Sequence, residues 1–176
     1  RVMVAGGITE QSILKSVEFY IVGGEEGKEW QNGPEMNIVR HVHGMVFLPG
    51  VGGEKGTVMV AGGATAMGQY LASVELYDVN TGKWRDGSPM KTVRIQPGMV
   101  FLPGVGDEGT VMVAGGYNDN NDDMDAGVGQ YRDEVELYDV KAGEWRYGTP
   151  MKTARAGHGM VFLPGVGAMG TVMVAG

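Results

Sequence analysis

Apolar residues in this chain come in short bursts that stop at glycine. Met45–Leu48, Met99–Leu102 and Met160–Leu163 are four-residue apolar runs, each closed by Pro-Gly, a turn signal. Thr57–Ala61 and its copies are β-branched and apolar with no charge, the pattern of a strand buried on both faces. Each runs straight into Gly-Gly, which breaks the strand and lets backbones approach closely. A third segment alternates, as Val74-Glu75-Leu76-Tyr77-Asp78-Val79 and Val135-Glu136-Leu137-Tyr138-Asp139-Val140. That period of two predicts a strand with one solvated face. The tight turns Asn80-Thr81-Gly82 and Lys141-Ala142-Gly143 then lead to a fourth strand, Lys83-Trp84-Arg85 or Glu144-Trp145-Arg146. No segment has a helical period, so the fold class is all-β.

The four-strand unit repeats. Gly-Met-Val-Phe-Leu-Pro-Gly-Val-Gly stands at Gly44–Gly52, Gly98–Gly106 and Gly159–Gly167, each followed by Gly-Thr-Val-Met-Val-Ala-Gly. The double glycine recurs at Gly7, Gly63 and Gly116 with spacings of 56 and 53, and Trp30, Trp84 and Trp145 lie 54 and 61 apart. The longer gap comes from the run Asn118–Asp125, an insertion that must sit in a loop because the rest of the repeat keeps its register. Four short strands at steady spacing, with one aromatic signature per unit, predict propeller blades.

These anchors resemble the kelch repeat: a double glycine, a Tyr and a Trp seven apart, Pro-Met, then Arg. They read Gly62-Gly63, Tyr77, Trp84, Pro89-Met90, Arg94, and again Gly115-Gly116, Tyr138, Trp145, Pro150-Met151, Arg155. The resemblance implies a β-propeller of four-stranded antiparallel kelch blades, about three of them within residues 1–176, with blade portions 1–36, 43–90, 98–151 and 159–176. The first copy departs from the pattern: Tyr20 and Trp30 are ten apart and Pro34 comes one place early, so its turn is expected to be longer. The Asp-box of sialidase-like propellers explains fewer positions, because the spacing from Gly82 to Trp84 is one residue short and the leading Ser/Thr is missing.

On this plan Gly7, Gly63, Gly116, Tyr20, Tyr77, Tyr138, Trp30, Trp84 and Trp145 are structural. Burying Trp84 between blades sets an expected cost of roughly 3–5 kcal/mol for Trp84→Ala. Arg40, Arg94 and Arg155 are expected to bond backbone carbonyls near the blade junctions. The chain starts and stops inside the same strand motif, Val2–Gly7 and Val172–Gly176, which suggests a piece of a longer protein. A closed ring needs about four to eight blades, so further blades of the same chain or a second copy must complete it.

Composition narrows the partners. The net charge of −7 argues against nucleic acid, whose phosphates require a basic face. No run approaches the ~18 apolar residues of a membrane span, and no signal-peptide pattern opens the chain. With Cys 0 there are no disulfides, thiolate metal sites or thiol nucleophiles in this stretch. Gly 32 plus Pro 7 make 39 of 176 residues, about 22%, below the roughly 25–30% of a disordered low-complexity chain.

Function on a repeat scaffold sits on loops that vary between copies. The family likeness puts Ile8–Lys15, Ala64–Ala72 and Tyr117–Asp133 on one face, with His41, Gln96 and Ala156 just after each arginine. Candidate partner contacts there are Ser12, Ile13, His41, Gln69, Tyr70, Gln96, Tyr117, Asn118, Gln130, Tyr131 and Arg132, because Tyr and Arg are typical interface anchors. The acidic run Asp119–Asp125 does not fit a calcium loop, which needs Gly where Met124 stands. His41 and His43 alternate along an extended segment and would face opposite ways, so no metal is expected. No catalytic constellation or phosphate loop stands out.

The expected function is a non-catalytic protein-interaction scaffold without cofactor, cytoplasmic, recognising protein partners and possessing no enzyme chemistry of its own. Many proteins of the resembled family carry adaptor domains for ubiquitin ligases, which implies substrate recognition within a larger multidomain protein. The alternative is a fragment of a secreted propeller enzyme, galactose-oxidase-like or carbohydrate-active, whose active site lies outside this segment. The galactose oxidase cofactor is a Tyr–Cys crosslink, and there is no cysteine here. A purely structural component of a large assembly is the third class.

Overall fold

A computed structural model describes residues 1–27, 29–65, 69–118, 129–167 and 170–176. Its sheets follow the repeat. The first is three-stranded: β1 (Val2–Ile8), β2 (Ile13–Tyr20) and β3 (Trp30–Gly33). The second has four strands in sequence order: β4 (Gly44–Leu48), β5 (Thr57–Ala61), β6 (Val74–Asp78) and β7 (Lys83–Gly87). The third starts with β8 (Gly98–Leu102) and β9 (Thr110–Ala114), then leaves the sheet for a small ribbon, β10 (Tyr117–Asn118) and β11 (Gln130–Tyr131). It returns as β12 (Val135–Asp139) and β13 (Glu144–Tyr147). A hairpin of β14 (Gly159–Leu163) and β15 (Thr171–Ala175) closes the order. The described strands form no closed ring.

All strand pairs are antiparallel, and the register is the same in each copy. Tyr20 faces Trp30, Tyr77 faces Trp84 and Tyr138 faces Trp145. Their ring centroids lie 5.3, 5.2 and 5.0 Å apart, tilted as aromatic pairs prefer. In the first sheet the longer turn is present, and Ile21 N–H donates to the Glu29 carbonyl at 2.7 Å. The double glycine works by left-handed backbone: Gly62 and Gly63 have φ of +70° and +91°. A Cβ on either would come within 2.6 Å of the Arg94 or His41 carbonyl oxygen, so only glycine lets neighbouring segments meet there.

The core lies between sheets. One cluster joins Leu48, Met59, Leu76 and Met90 to Val111, Val113, Tyr138 and Trp145; another joins Ala5, Val17 and Met36 to Val58, Val60 and Tyr77. Tryptophans stitch each sheet to the one before, since Trp84 Nε1 donates to Pro34 O and Trp145 Nε1 to Ser88 O, both at 2.8 Å. Trp30 is 56% exposed, and among the described residues no sheet precedes the first for it to pack on.

The third strand corrects the expected solvated face. Glu75 and Glu136 are fully buried, because the segments leading into each sheet, Asn37–Arg40 and Lys91–Arg94, fold onto them. Each carboxylate answers an arginine from the preceding junction. Arg40 Nη2 donates to Glu75 at 2.8 Å, and Arg94 Nη2 to Glu136 at 2.7 Å. Arg40 Nη1 reaches the Gly62 carbonyl at 2.8 Å and Arg94 Nη1 the Gly115 carbonyl at 2.7 Å, the backbone bonds expected from sequence. The remaining carboxylate capacity takes backbone N–H groups of Asn37 and Ile38, or of Lys91 and Thr92. Burial pulls the Arg40 pKa down from its ordinary value, and Glu75 opposes that pull. Buried charges persist only when paired and hydrogen-bonded, and here both Nη atoms of Arg40 are bonded while the Nε of each arginine is buried without a partner among the described residues.

Candidate interaction face

The segments after each arginine converge with the loops between second and third strands. His41 and Ala64 exchange backbone bonds at 3.2 and 3.0 Å, and Ile95 and Tyr117 do so at 3.0 and 2.9 Å. Each of these bridges links the approach to one sheet with the loop of that sheet, so both segments share one rim. Val42 and Gln96 occupy left-handed backbone at φ +48° and +51°, and Gly157 holds the equivalent place at +70°. Gln96 N–H donates to Val42 O at 2.7 Å, and Gly157 N–H donates to Gln96 O at 2.9 Å. A belt of backbone bonds therefore crosses the sheets at this rim. A β-branched residue at positive φ is a genuine strain, tolerated where the surroundings over-determine it.

Three tyrosines form a row on the rim. Tyr70 and Tyr117 meet edge to face at 6.3 Å, and Tyr117 and Tyr131 at 5.5 Å. Tyr131 is 65% exposed, and Gln130 and Gln69 beside the row are exposed as well. The ribbon of β10 and β11 fixes this arrangement, with Tyr117 opposite Tyr131 and Asn118 opposite Gln130. Such a surface offers aromatic faces for apolar contact and amides for hydrogen bonding.

The other sequence candidates differ from this row in exposure or position. Ser12 is exposed and tied into the β1–β2 turn, where its N–H donates to Thr9 Oγ1 at 3.1 Å. Ile13 opens β2 opposite Ile8 and is half-buried. Arg132 is half-buried and ion-paired to Glu134 at 3.1 Å. Asn118 is a correction: only 4% exposed, it is a packing residue of the ribbon rather than a surface contact. Register also changes one pairing, since Gln96 matches Val42 and Gly157 in the belt, whereas His41 matches Ile95 and Ala156. Val42 was missed from sequence; the glycine at position 157 was the available signal. The acidic run Asp119–Asp125 lies outside the described residues.

The histidines do not assemble a site. Burial, reinforced by the Arg40 charge, pushes His43 down to about 4, and burial with Arg155 lowers His158. Among the described residues no group of three or more His, Asp or Glu is placed to hold a metal.

Comparison with known proteins agrees with this geometry. The kelch motif matches residues 55–91 and 103–152. Kelch-like protein 34 of Homo sapiens is 34% identical over 139 residues, covering 77% of this chain and 19% of that protein. Kelch-like protein 15 of Danio rerio is 27% identical over 158 residues, covering 83% and 24%. An F-box/kelch-repeat protein of Arabidopsis thaliana is 30% identical over 95 residues, covering 54% and 19%. The chain thus spans about a fifth to a quarter of the length of these relatives. With its double glycines, Tyr–Trp pairs and junction arginines all in matching register, the chain belongs to the kelch motif family.

Proposed function

We propose that this chain is a non-catalytic scaffold that binds a protein partner on the tyrosine rim. The observation that carries the reading is the row Tyr70–Tyr117–Tyr131, which joins the loops of two successive blades and leaves Tyr131 largely exposed. Tyrosine gives large contact area at low entropic cost, and aromatic anchors dominate binding energy in protein interfaces. The acidic net charge of −7 favours a partner with a basic or apolar contact surface over nucleic acid. Among the described residues no helix is long and apolar enough to cross a membrane. One relative carries an F-box in its name beside its kelch repeats. Substrate recognition within a larger, multidomain, cytoplasmic protein belongs to the same reading.

Site-specific photocrosslinking tests it. A photoreactive residue at Gln130 or Tyr131 should capture a partner in cells, and one at Val51 in the turn after β4 should not. Loss of the Gln130 crosslink on Tyr131→Ala would tie capture to the tyrosine row. Equal capture from both positions, or none from the rim, would overturn the assignment.

A further inference from the structure

Three connections leave the outer strands in the same way. Gly33 and Gly87 end β3 and β7, Gly148 follows β13, and Met36, Met90 and Met151 come three residues later. Met36 and Met90 are buried, so each connection is pinned on both sides of a short exposed bend. The bends read Pro34-Glu35, Ser88-Pro89 and Thr149-Pro150. The first two are equivalent in space, because the Pro34 and Ser88 carbonyls each accept the Nε1 of the next tryptophan at 2.8 Å. After the methionine stands Asn37, Lys91 or Lys152. The second and third connections therefore carry a hydroxyl, a proline and a lysine together, and the first carries none of these at the matching positions.

The scaffold does not ask for that trio. The seam between sheets uses only the backbone of Ser88, a duty that Pro34 performs equally well. Among the described residues the Ser88 and Thr149 hydroxyls make no hydrogen bond. Lys91 joins no ion pair among the described residues either; its Nζ lies 5.8 Å from the Tyr147 ring centroid. All six side chains, Ser88, Pro89, Lys91, Thr149, Pro150 and Lys152, are exposed. Proline holds the residue before it in extended backbone and presents no N–H of its own. Of the 7 prolines in the chain, only Pro89 and Pro150 follow a hydroxyl residue.

We infer that Ser88 and Thr149 are phosphate acceptors for a proline-directed serine/threonine kinase that also reads a basic residue three places after the acceptor. The hydroxyl oxygen attacks the γ-phosphorus of ATP, the bond to the β-phosphate oxygen breaks, ADP leaves, and the hydroxyl proton passes to the base of the kinase. A kinase groove that needs no N–H from the next residue admits the proline ring, and an acidic pocket beyond it pairs with Lys91 or Lys152. Each phosphate adds about −1.5 to −2 charges, so two take the chain from −7 to about −10 to −11. The Trp145 bond to the Ser88 carbonyl stays in place, and the modification changes the surface charge of the seam without unlocking it.

The folded 176-residue chain, incubated with a cyclin-dependent kinase and magnesium ATP and mapped by peptide mass spectrometry, tests the inference. The expected result is phosphate on Ser88 and Thr149. Pro89→Ala should abolish labelling of Ser88 and leave Thr149 labelled, and Lys91→Ala should slow labelling of Ser88 by about 10-fold. Installing the trio in the first connection, with Pro34→Ser, Glu35→Pro and Asn37→Lys together, should add a third label at position 34. A chain that takes no phosphate at Ser88 or Thr149 overturns the inference. Labelling of a free peptide spanning residues 84–95 but not of the folded chain overturns it as well, since the folded connection would then be closed to the kinase. So does labelling of Ser88 that is indifferent to Pro89→Ala.

Discussion

The pentapeptide Thr-Val-Met-Val-Ala stands three times in this molecule and meets three environments. In β5 every residue is buried, in β9 only the methionine is partly exposed, and in β15 Thr171, Met173 and Ala175 are exposed. The residues are identical, so burial is conferred by what stands on either side. β5 has β4 and β6 as partners and packed sheets beyond its faces; β15 has β14 alone. The same holds for charge, because Glu75 is clamped by Arg40 whereas Glu18, in the same register, meets no arginine among the described residues. A repeat protein therefore stores its stability in the contacts between units as much as in the units.

The sharpest way to break this comparison is to remove one carboxylate at each place. Glu75→Ala leaves the Arg40 guanidinium buried without its counter-charge and should cost about 3–5 kcal/mol in urea unfolding. Glu18→Ala, at an exposed position, should cost less than about 0.5 kcal/mol. Equal losses would mean that the interior pair adds nothing beyond local strand propensity.

The tryptophans grade the same contrast. Trp145→Ala removes a ring only 7% exposed and should cost about 3–5 kcal/mol. Trp84, half-buried on the smaller first sheet, should cost about 2–3 kcal/mol, less than its sequence position implied. Trp30→Ala should cost under about 1 kcal/mol, and an order other than Trp145, Trp84, Trp30 would contradict the neighbour argument.

His43 extends the test to pH. Its folded pKa of about 4 lies below the ordinary 6.5, so between those values the unfolded chain binds a proton that the folded chain refuses. The contribution is complete above pH 6.5 and is lost as pH falls to about 4, a decline of about 3 kcal/mol. Urea midpoints for His43→Gln should be nearly flat across that window relative to the parent. The smallest expected effect is a gain: Val42→Gly relieves a β-branched residue at φ +48° and should raise stability by about 1 kcal/mol in thermal unfolding.

Most strands were legible in the sequence because each is bracketed by glycine, and the Tyr–Trp spacing set the hairpin register. Long-range pairing was not. Val-Glu-Leu-Tyr reads as half-solvated because alternation cannot report that a distant junction segment will fold onto the glutamate. The partner that makes Glu75 bearable, Arg40, is 35 residues upstream. At the rim, the tyrosines were visible as loop residues, but their row depends on the ribbon pairing of Tyr117 with Tyr131. Asn118 was misassigned for the same reason: a polar residue in a variable loop looks exposed until the loop folds back on itself.

The separation between each arginine and its acid has a consequence for synthesis. Arg40 precedes Glu75 by 35 residues and Arg94 precedes Glu136 by 42. At roughly 5–20 residues per second, a ribosome delivers the acid about 2–8 s after the base. During that interval the newest junction cannot lock, and the nascent array always ends in one unsealed seam. Ribosome stalling within either window would hold an unpaired guanidinium and an uncovered apolar sheet face in the open, the kind of surface that chaperones engage.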